Sequence, residues 1–204
     1  MKLYGCPNTR SMRAAWALEE ASAQYDYVLV DLFKGAARTT EFRAINPAAK
    51  LPVLVWIHGG AWKMGSKNWC PIAPLVTNGL AVASIEYRLS DEAKFPAQIS
   101  DCRAAIRWLR AQAAEHGLDP QRIGAFGASA GGHLAALLGT AAGVTEWDVG
   151  PHTNQSARVQ CVVAFYPPTD LDQLTSGWFW RKVSFSDVGR LIGGAVEQNR
   201  DRVA

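Results

Sequence analysis

Arg122-Ile123-Gly124-Ala125-Phe126-Gly127-Ala128-Ser129-Ala130-Gly131-Gly132-His133-Leu134-Ala135-Ala136-Leu137-Leu138 contains three events in immediate succession. Residues 122–126 are a short apolar run that reads as a strand. Gly127-Ala128-Ser129-Ala130-Gly131 is a G-x-S-x-G turn, and the apolar residues after it predict a helix over Ala130–Thr140. A serine on so sharp a strand-to-helix turn has its hydroxyl pushed out of the sheet, which makes Ser129 the candidate nucleophile. Small residues flank it because a bulky side chain there would collide with neighbouring backbone. The same turn aims the Ala130 N–H and the helix N-terminus at developing negative charge.

Upstream, His58-Gly59-Gly60-Ala61-Trp62 directly follows the apolar run Leu51–Ile57. Such a loop offers the backbone N–H groups of Gly59, Gly60 and Ala61 as further oxyanion donors, and glycine lets them approach without a Cβ in the way. Three more segments stand in order with these: Ser84-Ile85-Glu86-Tyr87-Arg88-Leu89-Ser90, Phe95-Pro96-Ala97-Gln98 with Asp101, and Pro168-Thr169-Asp170-Leu171. On these residues the stretch 51–204 resembles the α/β-hydrolase esterase/lipase family, in its hormone-sensitive-lipase-like and feruloyl-esterase-like branch. The resemblance implies a parallel sheet flanked by helices. It also implies hydrolysis of a small-molecule carboxylic ester through an acyl-serine, with Ser129 as nucleophile, Gly59, Gly60, Ala61 and Ala130 as the oxyanion hole, and neither cofactor nor metal.

A serine hydrolase also needs a base and an acid that orients it, and in this family they follow the serine in the order acid, then histidine. The four histidines are His58, His116, His133 and His152. The family continues past Leu191-Ile192-Gly193-Gly194 into strands carrying both groups, so the chain reads as C-terminally truncated, with the triad acid and histidine missing. Weak or absent activity is the expectation. His58 is expected to brace its loop by a hydrogen bond, and His133 to pack under the turn. His116 is placed at a helix end, where a cation favours the dipole. Asp148 and His152 have the expected order but sit in a polar loop too soon after the helix. Asp101 precedes the serine and reads as a structural anchor. Tyr166-Pro167-Pro168 departs from the glycine that the family places after the tyrosine.

Residues 1–54 carry different landmarks: Leu3-Tyr4, Arg13, Trp16-Ala17-Leu18-Glu19-Glu20, Val30-Asp31-Leu32, Glu41-Phe42, Asn46-Pro47 and Leu51-Pro52-Val53-Leu54. They resemble the N-terminal thioredoxin-like domain of glutathione S-transferases, which implies a partial βαβ unit and a cis bond before Pro52. Cys6, Thr9 or Ser11 near the first helix would carry any residual transferase chemistry, although Cys6 lacks the second cysteine of a C-x-x-C pair. Leu51–Val55 fits both families. The expected division is 1–50 and 51–204, and two other functions stay open: a glutathione-binding protein and a non-catalytic chimeric fragment.

The 204 residues are 49% hydrophobic and 19% charged, an ordinary globular composition. A net charge of +3, with basic residues dispersed among acidic ones, gives no case for a nucleic-acid partner. Cys6, Cys70, Cys102 and Cys161 lack metal-ligand spacing and read as reduced thiols in the cytoplasm. No apolar run approaches a membrane span, no signal peptide opens the chain, and the oligomeric state is unknown. Strands are expected at 2–4, 27–32, 53–57, 81–85, 123–126 and 159–165, and helices at 10–23, 40–45, 69–78, 95–117 and 130–140. Trp178-Phe179-Trp180 reads either as a substrate wall or, better, as core packing or bared apolar surface.

Overall fold

The computed structural model describes residues 2–5, 26–29, 50–176 and 184–199. Strands β1 (Lys2–Gly5) and β2 (Asp26–Leu29) pair in parallel, from Lys2 opposite Asp26 to Gly5 opposite Leu29. Parallel neighbours in sequence need a crossover between them, as a βαβ unit has. The expected helices at 10–23 and 40–45 lie outside the described residues, as do Cys6, Thr9, Ser11 and Trp178-Phe179-Trp180.

The second sheet is built from β3 (Leu51–Ile57), β4 (Ala81–Ile85), β5 (Leu118–Ala128) and β6 (Cys161–Phe165), all parallel, in the order β4-β3-β5-β6. Two long helices, α1 (Ala97–Ala111) and α2 (Ala130–Thr140), pack on it, followed by α3 (Leu171–Ser176) and α4 (Ser184–Ile192). Inward-facing Val53, Val55, Ile57, Ile123 and Ala125 meet Ile99, Ile106, Leu134 and Leu138 of the helices in one core. Val188, Leu191, Ile192 and Val196 close the same core from the last described segment. Trp56, Phe126 and Ala128 point the other way and pack with Ile72 in a smaller cluster. Central strands buried on both faces explain their near-continuous apolar sequence.

A polar clasp fixes the far side of α1. Arg103 and Arg107 are buried, and both donate to Asp148: Arg103 through Nε and Nη2, at 2.8 and 2.6 Å, and Arg107 through Nη1 at 2.6 Å. Their other donors reach the carbonyls of Ala141, Val149 and Pro151. The Arg103 hydrogen bonds come first among the causes that hold the Asp148 carboxyl below its usual range.

The structure changes several expected boundaries. Helix 69–78 is only a 3-10 turn, Ala73–Asn78, because Pro74 sits at its start and it buries no residue in the core. The helix predicted over 95–117 spans Ala97–Ala111, and the chain then turns through Gly117, at φ 65°, into β5. That strand begins at Leu118, earlier than the apolar run shows, because Leu51 pairs with Leu118 across the sheet. Among the described residues the cis peptide is Phe95–Pro96, so the bond before Pro52 is not cis as expected: Pro52 lies inside β3, which continues through it. Helices α3 and α4 were not foreseen.

Candidate active site

The elbow is where the sequence pattern and the backbone meet most directly. Ser129 ends β5 and begins α2 with φ 55° and ψ −124°, a conformation that costs a non-glycine residue roughly 1–3 kcal/mol. Hydrogen bonds hold it there: Ser129 N–H donates to Phe165 O at 3.0 Å, and His133 N–H donates to Ser129 O at 3.0 Å. Close approach explains the small residues. A Cβ on Gly131 would fall on the carbonyl oxygens of Ile57 and His58, so the helix touches the end of β3 through bare backbone. Among the described residues no side chain hydrogen-bonds the Ser129 hydroxyl.

The loop after β3 lies against this turn. A Cβ on Gly59 would stand 2.8 Å from Ala128 O and 3.4 Å from Ser129 Cβ. The loop then runs through four residues or near-neighbours at positive φ: Gly60 at 116°, Ala61 at 51°, Trp62 at 57° and Gly65 at 108°. It closes on itself through Lys63 N–H and Met64 N–H, both donating to Gly60 O. The N–H groups of Gly59, Gly60 and Ala61 have no acceptor among the described residues, which leaves them available to a ligand oxygen. Ala130, as first residue of α2, likewise has an N–H that the helix does not use.

Side chains from elsewhere fix this loop. His58 is buried, with Nδ1 2.8 Å from Gly59 O and Nε2 2.9 Å from Glu86 Oε1. Its ring stacks on Tyr87 at 4.3 Å, and the Tyr87 hydroxyl donates to His58 O at 3.0 Å. Lys63 Nζ reaches Asp187 Oδ1 on α4 at 2.6 Å. Trp62 is buried edge-on against the His133 ring, with centroids 5.4 Å apart. Ala61, Trp62, Ser129, Ala130, Pro167 and Val188, with Tyr166, Pro168, Leu174 and Asp187, line one cavity of about 470 Å³. Tyr166 is exposed and takes φ 36°, so the turn before Pro167 bends at the tyrosine itself. A second, wider groove of about 820 Å³, lined by Trp56, Trp69, Phe126 and Phe165, shares Tyr166 with the first.

The structure therefore brings together all five residues singled out from sequence: Ser129, Gly59, Gly60, Ala61 and Ala130. It brings no imidazole into hydrogen bond with the Ser129 hydroxyl. His58 braces its loop, as expected. His133 packs beneath the turn, and burial pushes its imidazole down to about 4, which keeps it neutral. His116 differs from its expected place: α1 stops at Ala111, and the imidazole lies against Trp108 instead of capping the helix. Asp148 is taken by Arg103 and Arg107, and no hydrogen bond joins His152 to the serine. Asp101 is the anchor expected, accepting from the Arg88 guanidinium and the Arg88 N–H. Glu86, Lys63 and Asp187 escaped the sequence. Glu86 lies in a quoted segment, but its partner is 28 positions away, and nothing local marks Asp187.

Among the described residues no cluster of His, Cys, Asp and Glu fits a metal, and no helix is long and apolar enough to cross a membrane. Comparison with known proteins gives two family matches: BD-FAE over residues 43–204, and the glutathione S-transferase N-terminal domain over 1–61. The chain is 32% identical to esterase LipC of Mycobacterium tuberculosis over 161 residues, covering 76% of this chain and 40% of that protein. It is 44% identical to carboxylesterase NlhH of the same species over 91 residues, covering 43% and 28%. A solved structure described as a truncated form of a carbohydrate esterase from gut microbiota superposes with a TM-score of 0.65 at 32% identity, covering 76% and 59%. The chain thus spans well under half the length of these curated relatives. With its four-stranded parallel sheet, its serine elbow and its glycine loop, the chain belongs through residues 43–204 to the BD-FAE family of α/β-hydrolase esterases.

Proposed function

We propose that residues 51–204 form a serine carboxylic ester hydrolase unit acting on small-molecule esters. One observation carries the reading: Ser129, held at positive φ, shares a cavity with Ala61 and Ala130 beside N–H groups that no protein acceptor uses. Ser129 Oγ attacks the ester carbonyl carbon and its proton passes to a base. The carbonyl oxygen becomes an oxyanion facing the Gly59, Gly60, Ala61 and Ala130 N–H groups. Collapse of the tetrahedral intermediate expels the alcohol and leaves an acyl-serine, which water hydrolyses. Apolar walls at Trp62, Pro167, Leu174 and Val188 suit the carbon skeleton of an acyl or alcohol group.

Among the described residues, no side chain is hydrogen-bonded to the Ser129 hydroxyl as a base would be. No imidazole of the four histidines hydrogen-bonds the Ser129 hydroxyl; His133 meets Ser129 through its backbone N–H. Loss of the triad histidine costs roughly 10⁶ in turnover, with about 10³–10⁴ over water retained from the oxyanion hole and binding. We therefore place this chain near the lower limit of esterase activity. The test is hydrolysis of a short-chain p-nitrophenyl ester by the purified chain beside Ser129→Ala. Slow turnover that vanishes in the variant is expected, and equal rates in the two would overturn the assignment of Ser129.

Residues 1–50 form, on this proposal, a separate partial thioredoxin-like unit. The parallel pairing of β1 with β2 and the family match over 1–61 support it. A glutathione-binding function is the second reading, and isothermal titration with glutathione tests it directly. Free thiols at Cys70, Cys102 and Cys161 support a reducing, cytoplasmic setting.

A further inference from the structure

One wall of the serine cavity carries a charge. Asp187, in the first turn of α4, lines it together with Ser129, Ala61 and Ala130. Its side chain is only 8% exposed, so the carboxylate has left bulk water almost completely. Lys63 Nζ donates to Oδ1 at 2.6 Å, and Lys63 does not line the cavity, so that oxygen is used from outside. The other oxygen, Oδ2, accepts no hydrogen bond among the described residues. A carboxylate oxygen offers two lone pairs, and burying them without a donor is costly. An ion pair with a half-exposed lysine and a place near a helix N-terminus require no such burial, because an aspartate makes both in solvent.

We propose that Asp187 is a specificity-determining residue whose Oδ2 accepts a hydrogen bond from a hydroxyl group on the ester held against Ser129. This deepens the reading of the cavity as the ester site and rests on it. Lys63 already balances the carboxylate, so a neutral donor completes the site, whereas a second cation would leave a net charge in an apolar pocket. Among the described residues, Asp187 is the one charged side chain on the cavity wall, and Trp62, Pro167, Leu174 and Val188 face the rest of the ligand with hydrocarbon. A cavity of about 470 Å³ holds one small ligand, so a hydroxyl bonded to Asp187 belongs to the molecule whose carbonyl meets Ser129. The contact also registers that molecule against the glycine loop, since Lys63 follows Ala61 by two residues and its N–H closes onto Gly60 O. The substrate class is therefore an ester with a free hydroxyl a few bonds from its carbonyl, as in a polyol monoester.

The test compares glycerol 1-butyrate with propyl butyrate, which has the same carbon skeleton without the hydroxyls. Both are titrated by NMR into the whole chain carrying Ser129→Ala, so that neither is turned over. Adding Asp187→Val is expected to shift the ratio of the two dissociation constants about tenfold toward propyl butyrate, the loss of a hydrogen bond to a charged acceptor. Lys63→Met cuts the ion pair but leaves the carboxylate, and should retain the preference for the hydroxylated ester. If Asp187→Val does not fold, Asp187→Asn keeps the shape with a weaker acceptor, and a shift of about threefold is expected. A ratio that the Asp187 change leaves unmoved overturns the proposal, because a merely structural aspartate alters both affinities alike. An equal shift in Lys63→Met also overturns it, since the preference would then belong to the shape of the loop. If neither ester binds, the reading of the cavity as an ester site falls and takes the proposal with it, so the two failures are distinguishable.

Discussion

The two halves of the site are held by different means. At the elbow, backbone packs on backbone: Gly131 lies against the carbonyls of Ile57 and His58, and Ser129 is fixed by main-chain hydrogen bonds to Phe165 and His133. At the glycine loop, side chains from distant positions do the holding, with Glu86, Tyr87 and Asp187 reaching His58 and Lys63. A backbone contact tolerates no added atom, whereas a side-chain clamp loses one hydrogen bond at a time. The elbow is therefore rigid and locally encoded, and the loop is graded and encoded at long range.

The scaffold sets the upper end of the scale against which this contrast is measured. Asp148→Ala leaves two buried guanidiniums without their carboxylate, and a loss of about 3–5 kcal/mol in urea-derived stability is expected. Next comes Gly131→Ala, whose methyl meets backbone carbonyls that cannot move aside; about 3 kcal/mol or failure to fold is expected. A change under 1 kcal/mol would show that the elbow relaxes and would remove the contrast.

His133 joins the two halves, since its N–H holds Ser129 O and its ring packs on Trp62. Burial pushes its folded imidazole down to about 4, while in the unfolded chain it ionises near 6.5. The unfolded state binds more protons between those values, so stability is full above pH 6.5 and falls as pH drops through that window. The loss levels off below about pH 4 at up to about 3 kcal/mol. His133→Gln should flatten this part of the stability profile measured by thermal melts from pH 7 to 4. Asp148 acts lower, because its depressed carboxyl gives up its contribution only as the pH falls below the ordinary carboxylate range.

The loop should give the smallest effect. Tyr87→Phe keeps the stacked ring and removes only the hydroxyl that donates to His58 O, so about 1 kcal/mol is expected. If Tyr87→Phe cost as much as Gly131→Ala, the loop would be as unforgiving as the elbow and the distinction between them would collapse.

The sequence by itself determined the elbow, the glycine loop and the alternation of strand and helix that places both at the carboxyl ends of neighbouring strands. It did so because a turn this sharp and a loop this close to another backbone admit few residue types, and those types are local. Helix α2 over Ala130–Thr140 and strand β4 over Ala81–Ile85 have the bounds their apolar patterns predict. The tertiary structure alone decided what depends on partners far along the chain. It assigned Glu86 to His58 and Asp187 to Lys63, took Asp148 for two arginines, and extended β5 back to Leu118 through its pairing with β3. A hydrogen bond between side chains 28 or 124 positions apart leaves no periodicity to read, and only folding brings those charges within reach of each other.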